Sequence, residues 1–85
     1  MNDREHRHRV PLVAPDLGVA GAALSLWLVP EGAEVIEGDR VVELVAGGVT
    51  VDLGAPVSGR LVAQRIDEDE AITAGQVLAE FEAAP

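Results

Sequence analysis

The chain has 85 residues, a formal net charge of −9 and 48% hydrophobic residues, which allows one small domain near the size where a single core is marginal. It contains no cysteine, which excludes disulfides and thiolate zinc sites, and its cationic side chains are all arginine, with no lysine. The acidic balance excludes nucleic acid as a partner, because nothing here neutralises a phosphate backbone over a wide surface.

Met1 to Arg9 reads as a charged, disordered tail, leaving residues 10–83 as the domain. His6 and His8 stand at a His-x-His spacing able to hold a metal on an extended strand; the reading adopted is a solvated tail, and no metal site is assigned. The tail lacks the apolar centre of a signal peptide. The longest mainly apolar run, Val19 to Val29, is too short to span a bilayer. No membrane association and a cytoplasmic location are expected.

Val10 to Ala14 alternates weakly and predicts a first strand, ended by Pro15. Asp16 to Gly21 is a loop, and Ala22 to Val29 reads as a buried strand carrying the single tryptophan, Trp27, as a partly exposed packing residue. Turns follow at Pro30-Glu31-Gly32 and Gly38-Asp39.

Val41 to Leu53, VVELVAGGVTVDL, predicts a β-hairpin with Gly47-Gly48 at its tip, since both residues tolerate the positive φ of a two-residue turn. That loop length fixes the register. Ala46 then faces Val49, Leu44 faces Val51 and Val42 faces Leu53 on the dry face. Val45 faces Thr50 and Glu43 faces Asp52 on the wet one. A slip by one residue would bury Glu43 and Asp52. Beyond Ala55-Pro56 and Ser58-Gly59, a strand is predicted from Arg60 to Ile66, an acidic solvated turn at Asp67 to Glu70, a turn at Ala74-Gly75 and a closing strand from Gln76 to Glu82.

Sliding the second half onto the first by 37 positions aligns Leu24 with Leu61, Val29 with Ile66, Glu31 with Glu68 and Val35 with Ile72. The same offset aligns Gly38 with Gly75, Val41 with Leu78, Glu43 with Glu80 and Leu44 with Phe81. Neither copy covers its own apolar face. The fold class expected is therefore all-β, a flattened barrel or sandwich of two pseudo-twofold-related four-stranded halves. The hairpin tip and the chain ends should lie at opposite ends of it.

The order and spacing of Trp27-Leu-Val-Pro-Glu-Gly-Ala-Glu-Val35, Glu37-Gly-Asp-Arg-Val-Val-Glu43, Val49 to Leu53, Ala55-Pro-Val-Ser-Gly-Arg-Leu61 and Ala74-Gly-Gln-Val-Leu-Ala79 resemble the lipoyl/biotinyl domain, the hammerhead module of 2-oxo acid dehydrogenase complexes and biotin carboxyl carriers. The resemblance implies a swinging-arm carrier of lipoate or biotin, held on a lysine at the hairpin tip. Aligned through Val42-Glu43 and Ala55-Pro56, the tip positions here are Gly47 and Gly48. An amide link to either cofactor needs a primary amine, which the ever-protonated guanidinium of arginine does not offer. No cofactor is therefore assigned.

No catalytic residues are assigned either. Both histidines lie in the tail, Ser25 and Ser58 lie in or beside strands, and Asp67 to Glu70 lacks the Gly-punctuated loop of a calcium site. The expected function is that of a non-catalytic interaction or adapter subunit, with 2-oxo acid dehydrogenase, acyltransferase or carboxylase subunits as partners. Glu31, Glu34, Glu37 and Asp67 to Glu70 would steer it to a basic surface. The alternative is a carrier that holds a small ligand non-covalently at Gly47-Gly48, where the bare backbone permits close approach.

Overall fold

Short Val/Leu runs separated by glycine turns give seven strands and no helix over residues 8–85, the part of the chain that the computed structural model describes. Most of the tail read from Met1 to Arg9, His6 included, lies outside those residues. Arg9 is the first residue of β1. The strands are β1 (Arg9–Val13), β2 (Ala23–Trp27), β3 (Glu34–Val35), β4 (Arg40–Ala46), β5 (Val49–Gly54), β6 (Gly59–Gln64) and β7 (Val77–Ala83). They form a four-stranded sheet in the order β1-β7-β6-β3 and a three-stranded sheet in the order β2-β4-β5, with every pairing antiparallel.

The internal repeat appears in the strand pairing. β2 pairs β4 through Leu24↔Leu44 and Leu26↔Glu43, and β6 pairs β7 through Leu61↔Phe81 and Ala63↔Glu80, with a register shift at the equivalent step in each. β5 beside β4 is matched by β1 beside β7, so that Leu44↔Val51 has its counterpart in Val10↔Phe81. The two halves differ from the expected four strands each in one respect. Glu34–Val35 pairs with β6 as a two-residue strand, whereas its repeat mate Ala71 makes only an isolated bridge to Ala23. The eighth segment is present but is too short to count as a strand.

Both sheets turn their apolar faces inward on one core. Leu24, Leu44, Leu61, Leu78, Val41, Val42 and Phe81 are fully buried, and no charged or polar side chain is buried with them among the described residues. With one phenylalanine and no tyrosine, the centre is filled by branched aliphatics around Phe81, whose repeat mate is Leu44.

Side chains also cross from one half to the other, and they do so in matched pairs. The Trp27 indole N–H donates to the Ile66 carbonyl and the Gln64 side-chain amide donates to the Val29 carbonyl, both at 3.0 Å. The Glu68 carboxylate accepts the Trp27 backbone N–H at 2.9 Å, and Glu31 accepts the Gln64 backbone N–H at 2.7 Å. Both N–H groups lie on a strand edge that no neighbouring strand covers at that point, so a carboxylate replaces the missing ladder partner. The acidic turn read as merely solvated thus carries structural hydrogen bonds, with Glu70 also accepting from the Asp67 N–H at 2.9 Å.

Candidate functional site

The β4–β5 hairpin has the register its sequence predicts: Ala46↔Val49, Val45↔Thr50, Leu44↔Val51, Glu43↔Asp52 and Val42↔Leu53. The like-charged Glu43↔Asp52 pair is relieved by Arg40 on the same strand as Glu43, whose guanidinium reaches Asp52 at 3.3 Å. At the tip, Gly47 and Gly48 have φ of 58° and 78°. Two successive positive φ values mark the type I′ turn, whose twist matches that of the flanking strands. Glycine adopts that conformation without steric cost, which is the local reason for the Gly-Gly pair.

The surroundings of the tip are open. A Cβ built on Gly48 meets nothing within 4 Å, and one on Gly47 meets only the methyl groups of Val19 at 3.9 Å. Val19 belongs to the loop between β1 and β2, shaped by the Asp16 carboxylate accepting the Gly18 N–H at 2.9 Å and anchored on the core by Leu17. This contact was not legible in the sequence, since it joins segments almost thirty positions apart with no shared motif. Val19 and Val49 are exposed beside the glycines. Within the tip itself the one side chain with a polar atom is the exposed Thr50 hydroxyl, on the wet face of the hairpin. The arrangement offers backbone and small apolar surface, and no amine, thiol or imidazole.

The acidic residues expected to steer a partner are all exposed, but they are spread along several turns and differ in role. Glu31, Glu68 and Glu70 hold backbone N–H groups. Asp69 occupies a positive φ of 70°, at the repeat position where the first half has Gly32 at 90°. All four described arginines pair with carboxylates on strands: Arg9 and Arg65 with Glu80, Arg40 with Asp52, and Arg60 with Glu82. The turns therefore keep their negative charge uncompensated among the described residues. Among the described residues no group of three or more His, Cys, Asp or Glu could hold a metal ion, and no helix is long and apolar enough to cross a membrane.

A family model described as "Biotin-requiring enzyme", for biotin/lipoyl attachment domains, matches residues 10–81. Among solved structures, a single-chain, multi-domain long-chain acyl-CoA carboxylase is similar at a TM-score of 0.76 and 26% identity over 89% of this chain. The match spans only 7% of the carboxylase. The lipoyl domain of the 2-oxoglutarate dehydrogenase complex from Azotobacter vinelandii is similar at a TM-score of 0.69 and 16% identity, over 89% of this chain and 98% of that one; at this identity the likeness is one of fold. No curated protein matches the sequence.

Proposed function

Because the chain belongs to the biotin/lipoyl attachment family, we propose that it serves as a non-catalytic interaction or adapter subunit of a 2-oxo acid dehydrogenase or acyl-transfer type assembly. In this reading Gly47 and Gly48 stand at the family's attachment turn and the domain carries neither lipoate nor biotin. The observation that carries it is a β4–β5 turn of two glycines in an 85-residue sequence without lysine. The residues present do not fit either cofactor, because no primary side-chain amine exists to form the amide and arginine does not replace it.

Retention of the fold supports a binding role. The hairpin register, the repeat-related pairing and the cross-half hydrogen bonds are complete, so the scaffold is intact where the attachment chemistry is missing. At the tip no amine, thiol or imidazole supplies an activated nucleophile or a general base of the kind catalysis needs, and the Thr50 hydroxyl is a cross-strand side chain opposite Val45. Partner subunits of the carboxylase or 2-oxo acid dehydrogenase class are the natural counterparts of such a domain. Its unneutralised turns add long-range attraction to a basic surface.

The test is affinity capture of the tagged protein from its native lysate, with an intact-mass measurement of the captured chain. Enrichment of 2-oxo acid dehydrogenase, acyltransferase or carboxylase subunits on a chain of unmodified mass is the expected result. Recovery of the chain alone, or a covalent mass increment, overturns the adapter reading. A small molecule released on denaturation would instead favour non-covalent carriage at the Gly47-Gly48 tip.

A further inference from the structure

We propose that the groove between Pro30 and Asp67, floored by Trp27 and Leu28, docks an extended partner segment presenting an arginine or lysine flanked by apolar residues. This inference rests on the adapter reading and deepens it, since it names the docking surface and the chemistry of the partner.

Val29, Gln64 and Glu68 complete the lining of this groove. Trp27, the only tryptophan, is half-buried and pinned at two points, by its indole N–H on the Ile66 carbonyl and by its backbone N–H on Glu68. The ring is thus a fixed platform that loses little freedom on binding. Beside it in the groove Leu28 is 40% exposed, and Leu26, outside the groove lining, is 44% exposed.

The internal repeat shows that the fold does not require this apolar surface. In the second half Ala63, Gln64 and Arg65 occupy the positions of Leu26, Trp27 and Leu28. Gln64 makes the same cross-half hydrogen bond as the indole, to the Val29 carbonyl at 3.0 Å, with a smaller and fully polar end group. One half therefore builds this architecture with an alanine, a glutamine and an arginine, while the other has a half-buried aromatic ring and two exposed leucines. Excess apolar exposure on one of two equivalent surfaces marks that surface for contact with another molecule.

Charge selects the occupant. Asp67 and Glu68 rim the groove. The Asp67 carboxylate has no hydrogen bond or ion pair among the described residues, and Glu68 uses one oxygen for Trp27. The described arginines are all engaged with strand carboxylates. A cation lying over the indole beside two carboxylates gains both cation–π and charge-assisted contacts, while its apolar neighbours cover Leu28 and Val29.

With a single tryptophan, emission from Trp27 reports binding directly. The probes are the peptide acetyl-Ser-Leu-Arg-Val-Ser-amide and its counterpart with glutamine in place of arginine. The expected result is a saturable emission change with the arginine peptide, with affinity about five- to tenfold weaker for the glutamine peptide and for Asp67→Asn. Asp16→Asn removes the same charge in the β1–β2 loop, outside the groove, while its side-chain oxygen still accepts the Gly18 N–H, and it should leave the affinity unchanged. Leu28→Arg, which installs the residue of the other half, should abolish binding while the domain stays folded. Absence of a saturable response, or equal weakening by Asp16→Asn and Asp67→Asn, overturns the groove. Either result leaves the adapter reading to the affinity capture, so the two fail separately.

Discussion

Converting Gly47 to Asp and Gly48 to Lys places an amine at the hairpin tip, and the structure sets what this costs. Neither side chain meets an obstacle, because Gly48 has open space around it and Gly47 has only Val19 at van der Waals distance. The cost is conformational, since both positions keep positive φ, 58° and 78°. A lysine held there costs about 1–2 kcal/mol and an aspartate less, giving a total of roughly 2 kcal/mol. A domain of this length has a stability of about 4–13 kcal/mol, so the double variant should remain folded with its melting temperature lowered by roughly 8–16 °C. The assay is thermal unfolding followed by incubation with a lipoate ligase, lipoate and ATP, read by intact mass, with an authentic lipoyl domain as the positive control. Lipoylation on the introduced lysine is the expected outcome. A folded double variant left unmodified beside a modified control would refute the equivalence of this tip with the family's attachment turn. An unchanged melting temperature would refute the type I′ geometry.

Two further predictions concern the scaffold. Gly59→Ala should destabilise the domain by about 3 kcal/mol or more in urea unfolding, because the added Cβ would lie 2.0 Å from the Glu82 carbonyl oxygen and 2.9 Å from the Ala84 nitrogen; a loss below about 1 kcal/mol would show that β6 and β7 separate easily there. Phe81→Ala should cost about 3–5 kcal/mol, since the ring is fully buried at the centre of the core, and should leave a large fraction of the chain unfolded at 37 °C; circular dichroism melting checks this, and a variant as stable as Phe81→Leu would contradict it.

Much of this protein was legible before any coordinates. The hairpin register followed from loop length and from alternation, because a one-residue slip would have buried Glu43 and Asp52. The pairing of the two halves followed from the offset that aligns Leu24 with Leu61 and Leu44 with Phe81, positions that prove fully buried. Strand ends moved by a few residues, as with Ala22 to Val29, of which Ala23–Trp27 is strand. Such ends depend on which backbone groups find partners across the sheet, and composition does not encode that.

The tertiary structure alone decided the roles of individual polar side chains. Glu31 and Glu68 aligned in the repeat yet read only as exposed turn acids that would steer a basic partner, because the N–H groups they satisfy lie more than thirty positions away on the opposite half. Trp27 read as a packing residue, and only its fixed ring, set against Gln64 in the mirrored position, distinguishes a surface exposed beyond what the fold needs. The approach of Val19 to Gly47 and of Arg40 to Asp52 is likewise set by assembly of the strands. Periodicity, turn residues and the presence or absence of an amine are local properties, and the sequence determines them outright. Which charge meets which backbone, and which apolar residue is left uncovered, depends on contacts between distant segments that exist only once the two halves have closed on each other.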